Sequence, residues 1–239
     1  MSKYNTNTHQ QQPVLATWPL TKNQTKTTPN LINKLGQSHT VQHDAKISLL
    51  REGDEKRPQV EAFIKDVFKK HHGAKLEHFA PSLLATFNQQ KEVDAALGYR
   101  LAHEGPLFLE TYLDQSIESL VSQYLGEKVE RHSIGETGNL ASANAASCKE
   151  LFSYTADYLN QQGIEWFVST GTAVMRVVYR RLGIKAHIIH DVEKSRLGKG
   201  QDDWGSFYED KPKIILINVA QAKQRFNELT AKLDANTPH

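Results

Sequence analysis

Several side chains in this sequence combine a reactive type with a suggestive spacing. Glu136 stands in the run GETGN, between Gly135 and Gly138. Strand glycines mark bulges or close backbone approach, so a carboxylate between them sits in a cleft where it can accept a proton. A strand-edge carboxylate held in a salt bridge is the plain alternative. Gly138, Asn139, Leu140, Ala141, Ser142, Ala143 and Asn144 follow, where a strand passes into a helix. Small residues let a ligand approach the backbone, and a helix N-terminus offers N–H groups and positive dipole to a phosphate. A tight turn capped by Ser142 or Asn144 accounts for the same residues without a ligand. Arg176 and Arg180 are four apart and share a helix face, with Arg181 and Lys185 beyond. They suit a phosphate or an acidic partner helix, or they simply complement the helix dipole near its C-terminus. Between them, Tyr179 is either a proton donor, its phenol staying protonated at neutral pH, or a buried aromatic beside Val174, Val177 and Val178.

Other patterns carry less. His39 and Asp44 match H-x-x-x-x-D, and His187 and Asp191 match H-x-x-x-D. With eleven His and eleven Asp in the chain, chance supplies roughly half a match per spacing. His71-His72 lacks further spaced ligands, so no metal site is expected. The single cysteine, Cys148, excludes an intrachain disulfide and reads as a packing residue in an Ala-rich helix. There is no G-x-S-x-G, no P-loop and no G-x-G-x-x-G.

These residues need elements to hold them. The chain has 239 residues, 38% of them hydrophobic and 23% charged, with a mean hydropathy of −0.56; that suffices for one core but leaves part of the chain in water. Residues 1–45 are rich in Thr, Asn and Gln and read as a flexible polar tail, in which Val14 to Leu20 is the one stretch able to dock as an arm. A domain is expected over residues 46–220. It opens on a strand at Lys46 to Arg51. A helix from Pro58 follows, with Val60, Phe63, Ile64, Val67 and Phe68 on one stripe and Gly73 as its stop. Ser82 to Asn88 and Asp94 to His103 read as an antiparallel hairpin. Asp114 is placed as the cap of a helix carrying Ile117, Leu120, Val121, Tyr124 and Leu125. Val129 to Leu140 is a strand, Ala143 to Asn160 a helix, Ile164 to Ser169 a strand and Thr172 to Leu182 a helix. The last strands are Ile184 to Val192 and Ile214 to Val219, and residues 221–239 are a polar helix and tail. This order predicts an α/β or α+β sheet with helices on its faces.

Two stretches carry a resemblance. TAVMRVVYRRLGI (Thr172 to Ile184), directly after IEWFVS, resembles the late helix of the GNAT acyltransferase superfamily, with Tyr179, Leu182, Gly183 and Ile184 in the matching places. RHSIGETGNLASANAAS (Arg131 to Ser147) resembles that superfamily's thioester-binding junction, and more particularly that of acyl-homoserine-lactone synthases, with Glu136 as the counterpart of their strand Glu. Residues 57–220 also resemble the bacterial thermostable hemolysin family through RPQVEAFIKDVF, LFLETYLD, GETGNLAS and IEWFVSTGT. The resemblance implies a GNAT-like, mixed and mostly antiparallel central sheet with helices on both faces. The acetyltransferase pyrophosphate loop is absent, with small residues in its place, which favours donors held by the pantetheine arm.

The resemblance further implies acyl transfer from acyl-CoA or acyl carrier protein to an amine-containing small molecule, with no covalently bound cofactor. Glu136 would take the amine proton and Tyr179 would protonate the departing thiolate. The Gly138 to Asn144 junction, with Arg176 and Arg180, would hold the acyl-CoA or acyl-phosphopantetheine co-substrate. Arg100, Glu110 and Tyr112 would line the acceptor pocket. Hemolysis would then follow from an amphiphilic product. The alternatives are a cytolytic toxin acting directly on membranes, and a noncatalytic binder of acyl carrier protein. A net charge of +2, from 29 basic and 27 acidic residues, gives no expectation of nucleic-acid binding. No apolar run approaches the roughly 18 residues of a membrane span, and no signal core opens the chain, so a cytoplasmic protein is expected.

Overall fold

The apolar stripe beginning at Val60 requires a helix, and in the computed structural model, which describes residues 47–235, that helix (α1) spans Arg57–His72. It buries Val60, Ile64 and Phe68 completely, and Gly73 ends it in the left-handed conformation at φ 66°. Three further helices follow the same logic: α2 (Ile117–Leu125), α3 (Ala145–Gln161) and α4 (Ala173–Leu182). The last helix, α5 (Val219–Ala235), buries Val219, Ala222 and Phe226 in the core it shares with α3. The polar segment 1–45, with its Val14 to Leu20 stretch and the His39/Asp44 pair, lies outside the described residues.

Among the described residues seven strands form one sheet: β1 (Ser48–Leu50), β2 (Ser82–Phe87), β3 (Val93–Leu101), β4 (Ile134–Ser142), β5 (Trp166–Gly171), β6 (Ala186–Asp191) and β7 (Lys213–Asn218). Their order is β1-β2-β3-β4-β5-β7-β6. Only the β4–β5 pair is parallel. One apolar cluster packs α1, α2 and the 105–112 and 194–210 segments against one face of the sheet. A second packs α3, α4 and α5 against the other.

Two features of β4 matter for function. It pairs with β5 at three positions only, Ile134 with Trp166, Gly135 with Phe167 and Glu136 with Val168. Beyond Glu136 and Val168 the two strands diverge. On its other side β4 stays paired to β3, but the register slips between Ala96–Ala141 and Gly98–Gly138, so β4 carries one extra residue. That bulge contains Asn139 at φ 49°. Its side-chain oxygen accepts the Ala80 N–H at 2.9 Å, which holds the left-handed residue in place. A side chain at Gly98 would stand 2.7 Å from the Ala80 methyl and 2.8 Å from that amide oxygen, so only glycine fits opposite the bulge.

Two sequence expectations are corrected. Asp114 does not cap α2: Ser116 occupies the N-cap position, while Asp114 is exposed and paired with Arg196. The first free N–H of the helix, on Ile117, is met instead by the Glu110 carboxylate at 2.9 Å. The strand expected from Val129 begins only at Ile134, because Arg131 turns back onto the carbonyls of Ala102 and Gly105 and folds Arg131–Ser133 into a 3-10 turn.

Candidate active site

Alternation along β4 sends neighbouring side chains to opposite faces of the sheet. Glu136 points toward the α1–α2 face and is 1% exposed. Its two oxygens accept the N–H groups of Phe108 at 2.8 Å and Leu109 at 2.9 Å. Burial pushes its carboxyl up to about 8 against the pull of those two bonds and the nearby Arg100 guanidinium. Glu136 is therefore a buried carboxyl with a raised pKa, covered by the 3-10 turn Phe108–Tyr112.

That cover is firmly tied. Arg131 reaches both Glu110 oxygens, at 2.7 and 2.9 Å, and also Glu118 at 2.7 Å. Burial pushes the Glu110 carboxyl up, but its bonds to Arg131 and to the N–H groups of Ile117 and Leu107 outweigh it and hold the group below the usual range. The Tyr112 hydroxyl meets that of Tyr208, and Phe108 packs on Trp204 with centroids 5.8 Å apart. Arg196 adds a bidentate bond to Asp114. Of the expected acceptor-pocket residues, Arg100 donates to the Pro106 carbonyl at 2.7 Å, while Glu110 and Tyr112 point into these internal contacts.

Thr137, next to Glu136, faces the α3–α4 side and opens on a narrow apolar pocket. The enclosed space is small, about 10 Å³, and lies between Thr137 on β4, Phe167 on β5, Phe152 on α3 and Tyr179 on α4. Tyr179 is buried, its ring 5.9 Å from that of Phe152. Burial raises its phenol well above the usual value, offset in part by a hydrogen bond with Ser169, so it remains a protonated donor at any physiological pH.

At the junction beyond β4, Asn144 caps α3 by accepting the Ser147 N–H at 2.9 Å. The Ser142 hydroxyl donates to the Asn144 carbonyl, and the Ala143 N–H to that of Asp94. Gly138, Leu140 and Ala141 continue β4. Arg176 is half-buried in the first turn of α4, bonded to the Gly171 carbonyl at 3.2 Å, while Arg180 is exposed one turn on. Glu136, Tyr179 and the junction are thus assembled around the β4–β5 divergence. Cys148 is fully buried in α3, and His72 is buried between Phe68 and Phe207. His187 bonds Tyr124, and Asp191 bonds Lys213, so that pair does not act together. Among the described residues no group of three or more His, Cys, Asp or Glu is placed to hold a metal ion.

Sequence reasoning missed the pocket and the cover. Phe152, Thr155 and Ala156 share a helical face at i, i+3 and i+4, a signal present in the sequence. The Phe108 and Leu109 donors are backbone groups, which no residue type reveals.

The chain and its fold have known relatives. The family model described as thermostable hemolysin matches residues 50–223, and the chain belongs to that family. No curated protein matches the chain at the sequence level. Among solved structures, TofI in an apo form is similar at TM-score 0.53, with 13% identity over 76% of this chain and 96% of that one. The CoA-dependent acyl-homoserine lactone synthase BjaI, with SAM and isopentyl-CoA, is similar at TM-score 0.52, with 9% identity over 81% and 91%. FeeM, an N-acyl amino acid synthase from uncultured soil microbes, is similar at TM-score 0.50, with 12% identity over 75% and 96%. The fold is that of the GNAT-like acyltransferases.

Proposed function

We propose that this member of the thermostable hemolysin family moves an acyl group from an acyl-pantetheine thioester, carried by CoA or acyl carrier protein, to the amine of a small molecule. The observation that carries the reading is the divergence of β4 and β5 after Glu136 and Val168, with an apolar pocket on one side and a buried carboxylate on the other. Diverging strands leave backbone N–H and C=O groups without ladder partners, and a pantetheine arm supplies the matching amides. The similarity in fold to BjaI, whose structure holds isopentyl-CoA, supports an acyl-CoA donor.

In this reading the thioester carbonyl lies in the divergence, its oxygen toward β4 backbone N–H groups that stabilise the developing oxyanion. The amine approaches from the Glu136 face and attacks the carbonyl carbon, and Glu136 takes the amine proton. The C–S bond then breaks. Tyr179, on the opposite face, donates its proton to the leaving thiolate. Because the Phe108–Tyr112 turn covers Glu136, that turn must lift, or admit a bridging water, for the amine to reach its base. Hemolysis follows from the acylated, amphiphilic product. No helix among the described residues is long and apolar enough to cross a membrane.

The test is a thiol-release assay with acyl-CoA and acyl carrier protein donors against a panel of amines. Thiol release that depends on both donor and amine supports the reading. Lysis of red cells by pure protein without any thioester, and no thiol release with any pair, contradicts it.

A further inference from the structure

The pocket has two ends, and the topology identifies them. Helices α3 and α4 follow directly from the C-terminal ends of β4 and β5, so their first turns flank the divergence. Both then run away from it, and Thr155, Ala156 and Ile184 line the pocket farther along. Strand β7 runs opposite to β5, pairing Lys213 with Gly171 near the divergence and Asn218 with Trp166 at the far end. Helix α5 therefore starts at the far end, where the Val219 N–H donates to the Glu165 carbonyl at 2.9 Å. Ala222 and Phe226, one turn apart on α5, line the pocket.

We infer that α5 is the end wall of an acyl-chain pocket, and that Phe226 and Ala222 limit the length of the acyl group. This rests on the proposed acyl-transfer reading and deepens it.

Three observations carry the assignment. The end wall is rigidly held: Arg225 donates to the Leu182 carbonyl at 2.7 Å, and Lys223 pairs with Asp157 on α3 at 2.6 Å. The α5 backbone therefore stays in place, and the Phe226 side chain is what a longer acyl chain must displace. Second, the deeper lining is apolar: the Thr155 hydroxyl donates to the Leu151 carbonyl at 2.7 Å and the Tyr179 hydroxyl is engaged with Ser169, while Thr137 faces the pocket beside the divergence. The far part of the pocket therefore suits hydrocarbon. Third, the pocket is narrow, so each methylene added to the chain must find room against Phe152 or Phe226. Phe226 lies beyond residue 223, where the family match ends.

The experiment uses the full chain and a series of acyl-pantetheine thioesters from butanoyl to hexadecanoyl, the portion common to both donor types. Binding is read by calorimetry and by retention in native mass spectrometry. The wild type should show a length optimum. Phe226→Ala should move the optimum to longer chains, with at least a tenfold gain for the chains just beyond the wild-type limit. Ala222→Leu should move it to shorter ones. Phe226→Leu, a smaller excision that preserves packing, should show the same direction if Phe226→Ala does not fold. Retained binding with the same optimum in all variants overturns the end-wall assignment and leaves acyl transfer standing. Failure of the wild type to bind any member of the series removes both.

Discussion

The two faces of the sheet at β4 are built oppositely. On the Glu136 face the polar groups near the carboxylate are tied: Glu136 to two backbone N–H groups, Glu110 to Arg131, and Tyr112 to Tyr208. Rings of Phe108, Trp204 and Phe207 fill the space above. On the Tyr179 face the lining is apolar and leaves a pocket. A small apolar pocket widens for an acyl chain by movement of side chains, whereas a carboxylate sealed under a hydrogen-bonded turn is uncovered only when backbone moves. Under the proposed acyl transfer the contrast favours donor first and acceptor second, with the Glu136 carboxyl kept from water until the amine arrives.

The largest expected effect separates the faces outright. Glu136→Gln should lower turnover by about 10² to 10⁴ while donor affinity stays within a few-fold. Because Gln places an NH₂ toward one of the two backbone donors, it should also cost about 1–3 kcal/mol of stability. Thiol release and calorimetry on the same sample read both. Equal losses in turnover and donor affinity would mean that the faces are not separate.

Next is the cover. Arg131→Met strands Glu110 and loosens the turn over Glu136. Since the cluster is partly exposed, the cost should be about 1–3 kcal/mol, read from the denaturant midpoint. The loosened turn should exchange its amide hydrogens faster at Phe108 and Leu109, with no change around Tyr179. Faster exchange on both faces would erase the contrast.

A third prediction concerns pH. The Glu136 carboxyl is raised to about 8 in the folded protein, against roughly 4.3 when unfolded. The folded state therefore holds more protons between those values, and the group's stabilising contribution is complete below the lower one. It is lost as pH rises toward the upper one, at up to about 1.4 kcal/mol per pH unit. Activity should run the other way, rising with pH to a midpoint near 8 when the acceptor amine has a low pKa of its own. Glu136→Gln should flatten both profiles.

The smallest effect is expected at the N-terminus, far from either face in sequence. Removing residues 1–40 should leave the melting temperature within about 5 °C, because so polar a segment has little apolar area to bury. A larger fall would make that segment part of one face.

Much of this architecture is legible in the sequence. The stripe from Val60 to Phe68, the Ser82 hairpin and the glycines at 73, 126 and 183 fix elements through local periodicity and caps. What escapes is non-local. Asp114 looks like a cap because nothing near it in sequence announces Arg196. Arg131 bends the chain before Ile134 through contacts with Ala102, Gly105 and Glu110, so a strand read from Val129 starts late. Within the site, Glu136 is visible as a carboxylate between glycines, but its two partners are peptide N–H groups. Phe226 is hidden for another reason. Its helix looks polar along most of its length, and only the return of β7 brings Ala222 and Phe226 beneath α3.

The central claim is that a thioester lies where β4 and β5 part. Hydrogen exchange of the full chain with and without an acyl-pantetheine thioester tests it most directly. The account predicts slowed exchange confined to Thr137–Ser142, to Ser169–Gly171 and to the first turns of α3 and α4. Protection elsewhere, with those two strand ends unchanged, would contradict it.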